Sequence, residues 1–115
     1  MDKKIENTTA QMRKGILEFC TLLVIARDAL YAADILAALK SADLLVVEGT
    51  LYPLLSRLKR DELVSYEWKE SFGGPPRKYY RITPKGKQTI DELKQSWQSL
   101  STTLHTLIET YEKSH

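Results

Sequence analysis

The chain has 115 residues, of which 43% are hydrophobic and 28% charged, which suits one small globular domain and leaves no room for a second. Its single cysteine, Cys20, excludes an intrachain disulfide, no apolar run reaches the roughly 18 residues needed to span a bilayer, and residues 1–11 lack the apolar core of a signal peptide, so the cytoplasm is the expected compartment. The net charge is +2, but residues 48–87 carry nine basic against five acidic groups while residues 88–115 carry two against four, so the positive excess sits where a phosphate-facing surface would need it.

Thr8 with Gln11 reads as a capping box that opens the first helix. From Met12 to Ile25 the residues are apolar on most sides, as in a helix central to the domain. Arg27-Asp28 breaks that run. A second helix is expected over about Ala32–Lys40, with Ile35, Leu36 and Leu39 inward, then a turn and a short extended stretch to Val47. In the third helix, about Glu48–Arg60, Leu51, Leu54, Leu55 and Leu58 follow the i, i+3, i+4, i+7 spacing and face inward. Thr50, Pro53, Ser56, Arg57 and Arg60 then lie on the opposite face, with Tyr52 and Lys59 on a flank. Pro53 is tolerable only near a helix start, which sets the amino end close to Gly49 or Thr50.

Val64, Tyr66 and Trp68 alternate with polar residues, the pattern of a half-buried strand. Residues 71–77 are turn material, and Lys78–Ile82 is the return strand of a hairpin tipped by Gly-Gly-Pro-Pro-Arg. Thr83 caps a last helix with Pro84 at its first position, running to about Glu112. Along it Ile90, Leu93, Trp97, Leu100, Leu104, Leu107 and Tyr111 recur in alternating steps of three and four, a heptad seam. Such a helix outruns three short helices, so the simplest partner for its seam is the same helix of a second copy. The expected class is mainly α with a small β-hairpin. Residues 1–83 would form a winged helix-turn-helix unit with its amino-terminal helix, and residues 84–115 a dimerisation helix on one compact body.

Nothing here suggests an enzyme, a cofactor or a metal. There is no Gly-rich phosphate loop and no HExxH motif, and neither His105 nor His115 has ligand-spaced neighbours. Cys20 sits on the most apolar helix, where a thiol behaves as a small hydrophobe. A groove-sized helix followed by a basic hairpin instead suits double-stranded DNA. Thr50, Tyr52, Pro53, Ser56, Arg57 and Arg60 would face the duplex from the third helix, with Arg77 and Lys78 reaching flanking phosphates or a minor groove from the hairpin. The alternative is a winged helix that binds protein rather than DNA.

The run Glu48-Gly49-Thr50-Leu51-Tyr52-Pro53-Leu54-Leu55, with Arg57-Leu58 behind it, resembles the signature of PadR-like transcriptional regulators. So does Pro76-Arg77-Lys78-Tyr79-Tyr80-Arg81-Ile82-Thr83-Pro84-Lys85-Gly86. The resemblance covers about residues 12–110. It implies a winged helix-turn-helix homodimer, usually a repressor on a palindromic operator, dimerised through the last helix with help from the first. The single helix after the hairpin resembles the smaller-subunit, multidrug-sensing branch. That implies a planar aromatic effector at the dimer interface, stacked on Trp97 with Leu93 and Glu18 as its other contacts. A regulator that needs no ligand is the alternative. Two positions depart from the family pattern: Ala32 replaces a common glycine, and Glu62 stands where a glycine often ends the third helix. Glutamate there must change the turn or accept strain of ~1 kcal/mol.

Overall fold

The third helix is amphipathic enough to seat the domain around it. Leu51, Leu55 and Leu58 are fully buried and meet Leu22 and Ile25 of the first helix, Ile35 and Leu39 of the second, and Val64 of the hairpin in one core. The computed structural model describes residues 2–114, so Met1 and His115 lie outside the described residues. The elements are α1 (Lys3–Arg27), β1 (Leu30–Tyr31), α2 (Ala32–Ser41), α3 (Glu48–Arg60), β2 (Val64–Ser71), β3 (Gly74–Ile82) and α4 (Pro84–Ser114). The antiparallel sheet has the order β1-β3-β2, with Leu30 opposite Tyr80 and Val64 opposite Ile82.

Three details differ from the sequence expectations. α1 begins about a turn and a half before Thr8, capped by Asp2, whose carboxylate accepts from the Lys4 amide at 2.8 Å. Thr8 lies inside the helix, its hydroxyl donating to the Lys4 carbonyl at 3.1 Å, so it does not act as a cap. α3 has the bounds expected of it, Glu48–Arg60, with Pro53 as its sixth residue. The carbonyl that loses its partner to Pro53 is that of Gly49, which is exposed and open to water. The strands run further than expected: only Phe72 and Gly73 form the turn, and Gly74–Arg77 belong to β3. The ladder steps from Lys69↔Arg77 to Ser71↔Gly74, an irregularity that skips the two prolines lacking amide protons. Beyond the helical layer the hairpin has no cover, which leaves Trp68 62% exposed rather than half-buried. β1, only two residues long, is too short to show a period.

Both helices of the helix-turn-helix end in the same motif. Leu44 N–H donates to the Leu39 carbonyl at 2.8 Å and Asp43 N–H to Lys40 at 3.0 Å. Leu63 N–H donates to Leu58 at 2.9 Å and Glu62 N–H to Lys59 at 3.0 Å. These are Schellman bonds, and they require a left-handed residue after the cap. Asp43 (φ 64°) and Glu62 (φ 63°) supply it without glycine, so Glu62 keeps the turn geometry and accepts the strain.

The turn after α3 is also where α4 is anchored. Thr83 shares its hydroxyl proton between the carbonyls of Glu62 (2.7 Å) and Leu63 (3.0 Å), and the same oxygen accepts from the Gly86 amide at 2.9 Å as the helix cap. Gly86 is buried against this turn, and a β-carbon there would overlap the Leu63 carbonyl oxygen and crowd Ile82. From this root Ile90 and Leu93 pack on the core, while Trp97, Leu100, Leu104, Leu107 and Tyr111 are each about half exposed or more. α4 therefore leaves the domain, and the whole molecule measures 61 Å along its longest axis. Gly86→Ala is expected to destabilise the fold by roughly 2 kcal/mol or more, since rigid backbone must move to admit a methyl group. A thermal melt unchanged within a degree would show that the junction yields easily.

Candidate nucleic-acid interface

With its leucines committed to the core, α3 presents Thr50, Tyr52, Pro53, Ser56, Arg57 and Arg60 to solvent. The hairpin rises beside that face. Between them lies a cleft of about 290 Å³ lined by Tyr52 and Ser56 of α3, Arg77 and Lys78 of β3, and Tyr31, Trp68 and Tyr80. Four of the residues expected to contact DNA are thus brought to one cleft. Thr50, Pro53 and Arg57 line a second groove, between α3 and α1, with Lys14, Gly15 and Glu18. Arg60 lines neither, and its Nε lies 4.0 Å from Asp61.

The wing holds its cations on aromatic rings. The Arg77 guanidinium carbon lies 4.2 Å from the Tyr31 ring centre, and Lys69 Nζ lies 4.1 Å from that of Tyr79. Lys78 Nζ lies 4.6 Å from the Tyr66 ring and 5.5 Å from that of Trp68, and Arg81 lies 5.6 Å from Tyr79. The cause is strand periodicity: alternate residues of β3 share a face, and cross-strand partners such as Trp68↔Lys78 stand beside each other. Each such contact contributes about 0.5–1 kcal/mol at an exposed site. That is enough to restrain a long side chain while its donors stay free for an anion. Glu67 offsets part of this charge, 3.3 Å from Arg81 and 4.0 Å from Lys69.

Three features were missed from the sequence. Tyr31, Tyr66 and Tyr79 serve as platforms for the cations. Their sign is the interleaving of Arg77-Lys78-Tyr79-Tyr80-Arg81, which reads as ordinary strand composition until the partner strands are known. Arg13 and Lys14 of α1 line the grooves beside Thr50, at the amino end of α3. Arg57 is not free: its Nη2 lies 3.5 Å from Glu18 Oε2, both side chains being nearly half exposed. Glu18, expected at an effector site, thus has its ion pair with α3, while Leu93 packs on the core and Trp97 is 49% exposed on α4.

Among the described residues no cluster of histidine, cysteine or acidic groups has metal-binding geometry, and no helix is long and apolar enough to cross a membrane. Burial pushes the Cys20 thiol up, which disfavours the reactive thiolate. Burial also raises Tyr80, helped by Tyr66 and Tyr52 nearby. The folded state therefore favours the neutral phenol. Its contribution is complete below the unfolded tyrosine value of about 10 and is lost as pH rises beyond it. Tyr80→Phe should make stability fall less steeply above about pH 10. Equal slopes in urea melts of the two proteins would contradict this.

Comparison with known proteins agrees with this geometry. The model of the transcriptional regulator PadR-like family matches residues 21–92. A PadR-like transcription factor structure from Bacteroides fragilis is 54% identical, with a TM-score of 0.75, over 88% of this chain and 98% of its own. A PadR-like regulator structure from Bacillus cereus is 41% identical, with a TM-score of 0.74, over 85% and 96%. A PadR family regulator structure from Eggerthella lenta is 30% identical with a TM-score of 0.89, over 95% and 96%. An uncharacterized Lysinibacillus sphaericus protein is 33% identical over 67 residues, 58% of this chain and 62% of its own length, so the chain spans under two thirds of that relative. Four helices with a small antiparallel sheet among the described residues, a wing beside α3 and a match over most of the chain make this protein a member of the PadR-like family of winged-helix, DNA-binding transcriptional regulators, which are not enzymes.

Proposed function

We propose that the chain is a homodimeric repressor, acting in the cytoplasm, that binds a palindromic operator in double-stranded DNA. The observation that carries this reading is the convergence of the exposed α3 face and the ring-seated cations Arg77 and Lys78 on one cleft. α3 enters the major groove. Arg57 takes a guanine edge or a phosphate, while Tyr52, Ser56, Thr50 and Arg60 set position on the backbone and Pro53 lets the helix approach closely. Arg77 and Lys78 bind flanking phosphates.

α4 is the dimerisation helix. Trp97, Leu100, Leu104, Leu107 and Tyr111 are large apolar or aromatic side chains left exposed along α4, and pairing with a second copy covers them, together with Ile90 and Leu93 nearer the root. The dimer sets two α3 helices about 34 Å apart, one turn of DNA. A planar aromatic effector entering at Trp97, with Leu93 and Glu18 as further contacts, releases the operator. The Glu18–Arg57 pair supports such a link, because anything that displaces Glu18 changes the charge beside Arg57.

Three outcomes are expected. Light scattering at micromolar concentration gives a mass of about twice 13.2 kDa, and a monomer would overturn the dimer. Binding to the gene's own upstream DNA at low salt weakens steeply as salt rises, and Arg57→Ala or Arg77→Ala weakens it roughly tenfold further. A chain that binds no DNA at low salt would leave only a protein-interaction role. In Trp68→Phe protein, planar aromatics quench or shift the fluorescence of Trp97, and silence across a panel of them would remove the effector.

A further inference from the structure

The hairpin ends in an apolar side chain that the fold does not use. Phe72 is 111% exposed, more than in an extended peptide, and stands at the apex between β2 and β3. The turn that carries it is braced. Gly73 takes the left-handed conformation (φ 73°), Ser71 Oγ donates to the Pro75 carbonyl at 2.6 Å, and Pro75 and Pro76 fix their own backbone angles. A phenyl ring in water on a stiff tip is an unfavourable arrangement unless a partner covers it.

The flanks indicate what covers it. Lys69, Arg77 and Lys78 lie on the strands just behind the tip and are seated on rings, against Glu67, 4.0 Å from Lys69, and Glu70 as the acidic neighbours on β2. That local charge favours a polyanion. The shape is a single ring between a serine and two glycines, with no other large apolar side chain in the turn. A protein surface or a bilayer would need a broader apolar patch. A duplex needs one flat or apolar wedge with cations on either side to hold the phosphates.

The geometry points to Phe72 as a wedge that enters the minor groove beside each half-site, parts one base step and kinks the duplex. This rests on the DNA-binding reading above and adds to it a source of sequence preference. A step that unstacks easily, such as TA or CA, is favoured under the tip although no hydrogen bond reads it. The kink turns the flanking phosphates toward Arg77 and Lys78.

The test uses the full chain and a duplex selected by the wild-type protein from a random pool, carrying 2-aminopurine at successive positions outside each half-site. Wild-type protein should raise the probe's fluorescence at one step under each tip. Phe72→Ala should abolish that rise, weaken binding roughly tenfold and make it fall less steeply with salt, with the protein's melting temperature unchanged. Phe72→Leu, which keeps an apolar wedge, should retain part of both effects. Selection of no duplex would overturn this inference together with the DNA-binding reading. Tight binding by the wild type with no 2-aminopurine response, or with equal affinity for Phe72→Ala, would overturn the wedge alone. So would a change in oligomeric state or vesicle binding as the only effect of Phe72→Ala.

Discussion

The arrangement of the whole molecule depends on how closely the turn after α3 meets the root of α4. The Glu62 and Leu63 carbonyls, freed by the end of one helix, accept from the side chain that caps the next. Gly86 lets the two backbones touch, and Thr83 closes the contact from both sides. Two rigid bodies are thereby fixed to each other at their ends: the helix with the exposed polar face and the helix that carries the apolar seam. The left-handed strain at Glu62 is the local consequence, because only the Schellman turn brings Leu63 into position. A looser turn would relieve ~1 kcal/mol at one residue and lose the fixed angle between α3 and α4.

The second constraint is electrostatic. The positive excess over residues 48–87 is modest, and Glu18, Glu67 and Asp61 each neutralise part of it. The wing compensates by order rather than by number, with its lysines and arginines restrained over tyrosine and tryptophan rings. On the proposed reading, a surface of this kind binds a single half-site weakly. In the proposed dimer the second half-site is presented at high effective concentration, so affinity depends on how well the α3–α4 junction holds the spacing.

Much of this was legible in the sequence. The leucine spacing of α3 and the Thr83-capped start of α4, with Pro84 at its first position, are strong local signals that tertiary packing only reinforces. The hairpin boundaries were not legible, because Gly and Pro at 73–76 read as loop although β3 runs through the prolines on its uncovered side. β1 was invisible at two residues. The start of α1 was hidden because Thr8 and Thr9 can bond back to carbonyls four residues earlier and so remain helical. At the site, the exposed face of α3 followed from its buried one. The tyrosine platforms and the Glu18–Arg57 pair did not, since they join residues from different elements. No spacing rule covers those.

If two winged helices act as one rigid reader, the junction at Thr83 and Gly86 transmits dimer geometry to α3, and affinity must depend on half-site spacing. Lengthening the operator tests this most directly. With a selected palindrome, inserting about half a helical turn between the half-sites should weaken binding by roughly a hundredfold, and inserting about a full turn should restore part of it. Affinity that stays level through both insertions would mean that each wing binds alone, and would contradict the rigid reader.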